Sequence, residues 1–250
     1  MLIQWGIMDY RKVFCEAVNA ILPPACPICG KPKPFCGKKR LDICPGCREK
    51  IGYIKEPVCL KCGKSIQDDD DEFCRDCGRG LHVYDQAAAV YEYSRAVKNS
   101  IYRFKYYNKR EYASSYAAEM VRSCGGMINV WSPDVIMPVP IHSSRLKERG
   151  YNQAGLIAAE LGRLMGIPVD ETSLKRVVRT TPMKELNNLQ RIKNLQNAFQ
   201  VDRKDVIYKK VLIVDDIYTT GATFDACAAV LKESGTQEVY GVSLCVGDGF

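Results

Sequence analysis

The chain has 250 residues, 46% of them hydrophobic and 26% charged, with a formal net charge of +7. Those proportions exclude a fibrous or disordered chain, and the length suits one ordinary domain with a small satellite. The positive balance suits an anionic ligand or a polyanionic partner.

The apolar start, Met1 to Met8, is broken by Asp9, Arg11 and Lys12 and does not read as a secretory signal. No apolar run approaches the roughly 20 residues that a membrane-spanning helix needs, so a cytoplasmic protein is expected. Phe14, Val18, Ile21 and Leu22 recur at helical spacing. Residues 1–22 therefore read as a short N-terminal helix that docks on the rest of the chain.

Of thirteen cysteines, eight form four Cys-x-x-Cys pairs within residues 23–80: Cys26/Cys29, Cys44/Cys47, Cys59/Cys62 and Cys74/Cys77. Each pair sets two thiolates on a tight turn facing one ion, and two pairs complete a four-cysteine zinc site. Pro27, Gly30, Pro45, Gly46, Gly63 and Gly78 supply the turn chemistry. A redox role for one pair competes with this reading, but four pairs in one segment weigh against it. The expectation is a double zinc ribbon with two structural zinc ions, its pairs closing in chain order. Spacing alone leaves an interleaved pairing open. Cys36 is a spare ligand, whereas Cys15, Cys124, Cys227 and Cys245 sit in apolar or helical contexts and read as buried thiols. The acidic run from Asp68 to Glu72 reads as a solvated loop tip.

Residues 81–250 alternate between strand and helix patterns. Ala87–Tyr93 is strand-like, and Ser94 caps a helix carrying Val97, Ile101 and Phe104 on one face. A second helix is predicted from Glu111 to Arg122, ending at Gly125-Gly126. Val135–Val139 is a buried strand followed by a polar loop, and Asn152–Leu164 is a helix stopped by Gly166. Short strands are expected at Ile167–Val169 and Leu174–Val178, and a polar segment runs from Arg179 to Asn197. Val211–Val214 is a four-residue strand ending in Asp215-Asp216, Thr223–Ser234 is a helix, and Val239–Val246 is the last strand. This alternation predicts an α/β fold, a parallel sheet flanked by helices, whose ligands sit at the carboxyl ends of strands.

The segment from Val211 to Thr223 carries the chemistry. Four buried residues are followed by two carboxylates, then by a Thr- and Gly-rich loop that opens a helix. Backbone N–H groups at that helix start, with the hydroxyls of Thr219, Thr220 and Thr223, make a monophosphate cradle, and Gly221 lets the backbone approach closely. Asp215 and Asp216 are placed to accept hydrogen bonds from sugar hydroxyls. A plain strand end with an ordinary cap explains one Asp and one Thr, not the ordered set. Phosphate at one end and a diol at the other describe a ribose 5-phosphate.

The same segment, Val214, Asp215, Asp216, Thr219, Thr220, Gly221, Ala222 and Thr223 included, resembles the fingerprint of type I phosphoribosyltransferases for 5-phosphoribosyl 1-pyrophosphate (PRPP). Met137-Pro138-Val139-Pro140 leads into His142, Ser143, Ser144, Arg145, Lys147, Arg149, Gly150, Tyr151 and Asn152, which resembles the family's pyrophosphate loop. Arg176, Arg179, Thr180, Thr181, Pro182, Lys184 and Arg191 resemble the hood that closes over PRPP. With the cysteine pairs and Arg149-Gly150-Tyr151-Asn152-Gln153, the layout from about Leu22 onward resembles the ComF family. That resemblance implies phosphoribosyl transfer with Mg(2+) bound alongside PRPP, and a role in DNA uptake during natural competence. It implies ribose contacts from Asp215 and Asp216, and pyrophosphate contacts from Arg145, Arg149, Arg179 and Lys184. Lys184 stands where a glutamine is common in the family's hood segment, and glutamine-dependent amidotransfer, which needs a glutaminase domain with a cysteine nucleophile, is not expected. His142 reads as a loop hydrogen-bonder, and His82 has no supporting context.

From Arg95 to Arg110 there are six cations and no acid. Arg103, Lys105, Lys109 and Arg110 with Tyr106 and Tyr107 are therefore candidates for single-stranded DNA contact, against the plainer reading of a solvated helix face. Phe104-Lys105-Tyr106 also matches an element of related proteins that can serve the PRPP site. Three readings follow: a working transferase, a PRPP-sensing regulator without turnover, and a DNA-handling accessory that works with competence machinery.

Overall fold

The computed structural model describes residues 25–32, 43–68, 70–80, 82–178, 195, 197–202 and 208–247. The expected N-terminal helix, Cys15, Cys36, Arg179, Lys184 and Arg191 lie outside the described residues.

Strands β1 (Gln86–Glu92), β2 (Val135–Pro138), β5 (Lys210–Tyr218) and β6 (Glu238–Val246) form one sheet in the order β1-β6-β5-β2, every pair parallel. Parallel neighbours require crossovers, and helices supply them. Between β1 and β2 run α1 (Arg95–Tyr106) and α2 (Tyr112–Trp131). After β2 come α3 (Ser143–Arg149) and α4 (Gln153–Met165), and α5 (Ala222–Glu233) joins β5 to β6. Two short strands, β3 (Leu174–Arg176) and β4 (Phe199–Val201), pair antiparallel outside the sheet.

Side chains alternate across a strand, so β5 sends Val211 and Ile213 to one face and Leu212 and Val214 to the other. Leu212 and Val214 join Phe104, Tyr116, Met120, Ile157 and Leu161 from α1, α2 and α4. Val211 and Ile213 join Phe224, Ala228 and Leu231 of α5. Both faces are covered, which is why this run is apolar without alternation.

The local punctuation reads as expected at several ends. Ser94 Oγ accepts the Val97 N–H at the start of α1, Asn152 caps α4, and Gly166 closes it with φ of 72°. Other boundaries differ. Helix α2 runs through Gly125-Gly126 to Trp131, because Ile128 and Trp131 extend its buried face. The Trp131 ring stacks on Tyr240 at 4.8 Å and its Nε1 donates to Gln86 Oε1 at 2.8 Å. The expected polar loop after β2 is largely the helix α3. Its Arg, Leu, Lys and Glu residues are good helix formers, and their polarity reflects exposure rather than irregular backbone. Strand β5 continues to Tyr218, since Asp215 and Ile217 still pair with Ser243 and Cys245. Of Ile167–Val169, only Val169 bridges, parallel to Ile136, and β3 ends at Arg176. Strand β4 carried no signal that set it apart from the polar segment before it.

The cysteine-rich segment is joined to the sheet through β1. Ile54 donates its N–H to Val90 at 3.0 Å, Glu92 to Gly52 at 2.9 Å, and Ala87 to Lys61 at 2.7 Å. An otherwise unpaired sheet edge is thereby covered. Gly63 is required at this contact, since a Cβ there would lie 2.7 Å from the Ala87 carbonyl oxygen.

Candidate functional site

The cysteines gather into two clusters, Cys26/Cys29/Cys44/Cys47 and Cys59/Cys62/Cys74/Cys77, with the sulfurs of each within 4.8 Å of one another. The pairs close in chain order. Two thiolates held about 2.3 Å from a tetrahedral zinc ion lie roughly 3.8 Å apart. The distances between pairs match this, with Cys29 Sγ to Cys44 Sγ at 3.9 Å and Cys62 Sγ to Cys74 Sγ at 3.7 Å. Thiols this close shift one another's pKa strongly. Hydrogen bonds with Cys62 and Cys77 pull Cys59 far below the usual thiol range, and those with Cys59 and Cys62 push Cys77 far above it. The donor set and its spacing fit structural zinc.

The two ribbons repeat one knuckle. In Cys26–Lys31 and Cys59–Lys64 the first cysteine accepts from the glycine N–H (2.8 and 2.9 Å) and donates to the lysine carbonyl (2.9 and 2.8 Å). Gly30 and Gly63 sit at φ of 73° and 70°, where glycine is at ease. Arg103, from α1, donates to the carbonyls of Pro27 and Ile28 at 2.8 Å each. It holds the first ribbon and does not face solvent as part of a basic stripe.

At the carboxyl end of β5 the strand's alternation separates two neighbouring carboxylates. Asp216 shares the parity of Val214 and meets the Lys105 ammonium of α1 in an ion pair. Asp215 shares the parity of Ile213 and lies on the side of Cys227 and Arg176, both of which feel its charge. Its Oδ1 accepts the Asp216 N–H at 2.8 Å. Burial, then the charge of Asp216, pushes the Asp215 carboxyl up to about 8, against the pull of Lys105. Burial opposes the charge on Lys105, but Asp216 and then Asp215 outweigh it and hold the ammonium above its usual range.

Beyond β5, the turn of Thr219, Thr220 and Gly221 leads into α5, which begins at Ala222 and Thr223 with no side-chain cap. Its first backbone N–H groups therefore lack the partner that a capping residue supplies. Thr220 Oγ1 is buried and meets no hydrogen-bond partner. Asp215, Thr219, Gly221 and Thr223 line a small depression with Tyr218 and Phe224. Uncapped N–H groups and an orphaned hydroxyl beside it fit a phosphate.

The surrounding cations come from several elements. Arg149 of α3 donates to Gln153 Oε1 and to the Tyr106 hydroxyl, both at 3.1 Å, and lies 5.0 Å over the Tyr106 ring. Its charge reaches Lys105. Arg176 of β3 stands over Phe199 at 5.3 Å, and burial, then Arg145, lowers its pKa. Arg145 is thus within electrostatic reach of the same end of the sheet. Tyr93, at the end of β1, also senses Lys105 and Asp216. His142 serves as the cap of α3 by accepting from Ser144 N–H at 3.2 Å.

The run from Arg95 to Arg110 does not present one basic face. Lys105 turns inward to Asp216 and Arg103 to the ribbon. Arg110 bonds Asn108 at 2.9 Å and lies 4.7 Å over the Tyr151 ring, and Lys109 pairs with Glu111 at 3.4 Å. Exposed beside Arg95 and Lys98 is an aromatic group: Tyr102, Tyr106 and Tyr107, at 53%, 50% and 63%, with rings 4.8 and 5.9 Å from Tyr102. The residue that sequence reasoning passed over is His82. It lies against Gly221, and no local signal pointed to it, because its partner Asp225 is far along the chain.

Comparison with known proteins decides the family. A double zinc ribbon domain model matches residues 17–78. Competence protein F of Haemophilus influenzae is 31% identical over 202 residues, covering 79% of this chain and 87% of that protein. The chain belongs to the ComF family. This ComF-family chain is also 26% identical over 227 residues to DNA utilization protein YhgH of Salmonella typhi, covering 88% and 89% of the two. Among solved structures it is similar to a purine phosphoribosyltransferase from Pyrococcus horikoshii, at 19% identity and a TM-score of 0.31 over 52% of this chain and 72% of that one. Among the described residues no helix is long and apolar enough to cross a membrane.

Proposed function

We propose that this chain binds PRPP at the carboxyl end of β5 and transfers its phosphoribosyl group to an acceptor, releasing pyrophosphate. The observation that carries this reading is the adjacency of three features on one strand-turn-helix. They are paired carboxylates, the orphaned Thr220 hydroxyl and the uncapped start of α5. The turn takes the 5-phosphate, and Asp215 and Asp216 accept from the ribose hydroxyls. Arg145, Arg149 and Lys105 supply cations toward the pyrophosphate, and the family resemblance assigns the same role to Arg179 and Lys184. As the bond from C1 to pyrophosphate breaks and the bond to the acceptor forms, these cations stabilise the leaving charge and the carboxylates the developing positive charge. Mg(2+) bound with PRPP would neutralise part of the pyrophosphate charge.

Calorimetric titration with Mg–PRPP tests binding, and a pyrophosphate-release assay over bases and amines tests turnover. Binding without release under any acceptor favours the PRPP-sensing reading. Absence of binding by a folded, zinc-loaded protein rejects both.

A second reading has its own observation. The exposed Tyr102, Tyr106 and Tyr107 offer π-faces for unstacked bases beside Arg149. With relatives named for competence and for DNA utilization, we infer single-stranded DNA contact at this aromatic face. It is compatible with phosphoribosyl transfer on the same chain.

A further inference from the structure

We propose that His82, at the end of the second ribbon, is a positioning residue of the phosphate-binding turn, and that the ribbon is thereby part of the ligand site. This rests on the phosphoribosyl reading above. The His82 side chain is 7% exposed, and its Nδ1 lies 2.8 Å from Asp225 Oδ2 in the first turn of α5. The next residue donates its N–H to the other oxygen, Val83 N to Asp225 Oδ1 at 2.7 Å. Both oxygens of one α5 carboxylate are therefore taken by the segment that leaves the ribbon.

The same segment grips the other side of the turn. Tyr84 and Tyr218 join hydroxyls at 2.7 Å, and the His82 and Tyr84 rings lie 4.9 Å apart. Tyr218 precedes the Thr219-Thr220-Gly221 turn and Asp225 follows it, so the turn is held at both ends. Between them the imidazole rests on the turn itself. A Cβ at Gly221 would lie 2.7 Å from His82 Cε1 and 2.7 Å from the Tyr218 hydroxyl. Gly221, at φ of +79°, is thus shaped by protein packed against it as well as by its backbone conformation.

The grip is rooted in the second ribbon. Lys61 and Lys64, which flank Cys62, stand over the rings of Tyr84 and Tyr218 at 5.4 and 5.6 Å. A turn pinned at both ends presents its N–H groups with little freedom left to lose on binding, which favours affinity. Releasing the His82 anchor returns that freedom, and the loss falls on the phosphate end of the ligand.

The test is titration of the wild type, His82→Ala, His82→Gln and Asp225→Asn with PRPP, ribose 5-phosphate and pyrophosphate, each with Mg(2+). His82→Ala is expected to weaken PRPP and ribose 5-phosphate by a common factor of about tenfold, the worth of one such hydrogen bond, and to leave pyrophosphate within about twofold. His82→Gln, whose amide can reach Asp225, recovers part of the loss. If His82→Ala loses its fold or zinc, Asp225→Asn decides the same comparison, since it keeps the acceptor for Val83. Wild-type affinities in the variants, or an equal loss for all three ligands, overturn the proposal. A wild type that binds neither PRPP nor ribose 5-phosphate overturns the underlying reading instead.

Discussion

The Lys105 ammonium rests on the Asp216 carboxylate and joins the last turn of α1 to the end of β5. A lysine whose run suggested a solvated basic stripe is in fact one-fifth exposed and committed to the candidate site. The ion pair separates two proposed roles that the sequence left overlapping. Lys105→Met is expected to weaken Mg–PRPP binding by about 1.5–3 kcal/mol, the worth of a charge-assisted hydrogen bond. Its affinity for single-stranded DNA should stay close to wild type. Calorimetry for the one and fluorescence anisotropy for the other check this, and the opposite pattern would return Lys105 to the DNA face.

The aromatic face should respond the other way. Tyr107→Ala is expected to cost roughly 1–3 kcal/mol in single-stranded DNA affinity with no change in salt slope, because stacking releases no counterions. Lys98→Ala with Lys109→Ala should instead flatten the log–log slope by about 0.7 per lost phosphate contact. Affinities and slopes unchanged in both variants would leave the three tyrosines without a DNA role.

Asp215 makes a pH-dependent contribution whose sign can be worked out. Below about pH 4 the carboxyl is protonated in folded and unfolded chains alike and contributes nothing. As pH rises from there, the unfolded chain releases the proton while the folded chain holds it to about 8. The unfolded state then binds fewer protons, so folding is progressively disfavoured up to that value and by a constant amount above it. Asp215→Asn removes this cost. The melting temperature of the variant minus that of the wild type should therefore grow between pH 5.5 and about 8 and level off beyond. A difference independent of pH would mean that Asp215 titrates normally. With Asp216→Asn added, PRPP affinity should fall by several kcal/mol in total when measured above about pH 8, where both diol acceptors carry charge before the substitution.

What could be read without coordinates was what is local. The strand, acids, turn and helix start of Val211–Thr223 lie in one continuous segment, and so do the Cys-x-x-Cys knuckles and the caps Ser94 and Asn152. Polarity misled where it was taken to mean irregular backbone, as at α3, or a strand end, as at Asp215. Charge counting misled from Arg95 to Arg110 because it carries no direction. On α1, Lys105, Arg103 and Tyr102 point to three different neighbours. His82 and Tyr93 were invisible for a different reason. Each meets the site only through the tertiary fold, His82 across 143 residues of chain.

The two zinc clusters should differ in what their loss does. Elemental analysis should find two zinc ions per chain, one for each cluster. In the second cluster Cys59 and Cys62 are fully buried in the core beneath Tyr84 and Tyr218, whereas Cys29 of the first is exposed. Limited chelation should therefore remove the first zinc before the second. A single phase with simultaneous loss of both ions would contradict the difference in burial.

Besides Arg103, one buried carboxylate helps to hold the first ribbon to the body of the protein. Glu119 of α2, 3% exposed at its side chain, receives Arg48 at 2.9 Å, the Tyr53 hydroxyl at 2.8 Å, and Arg122. Arg48 and Tyr53 belong to the cysteine-rich segment, so this acid ties that segment to α2 within one shared core. Removing one partner of a fully buried ion pair costs about 3–5 kcal/mol, because the other charge is left without water. Here the arginines are 40% and 41% exposed and can turn to solvent, so the cost should fall near 2 kcal/mol, within the ordinary range of destabilising substitutions. Glu119→Gln should show that loss in urea unfolding. It should also release the first zinc faster while PRPP affinity holds, since Lys105, Asp216 and the Thr219–Thr223 turn make no contact with Glu119 among the hydrogen bonds and ion pairs described. Faster zinc loss from the second cluster, or a parallel fall in PRPP binding, would show that the ribbons and the sheet respond as one unit rather than through this acid.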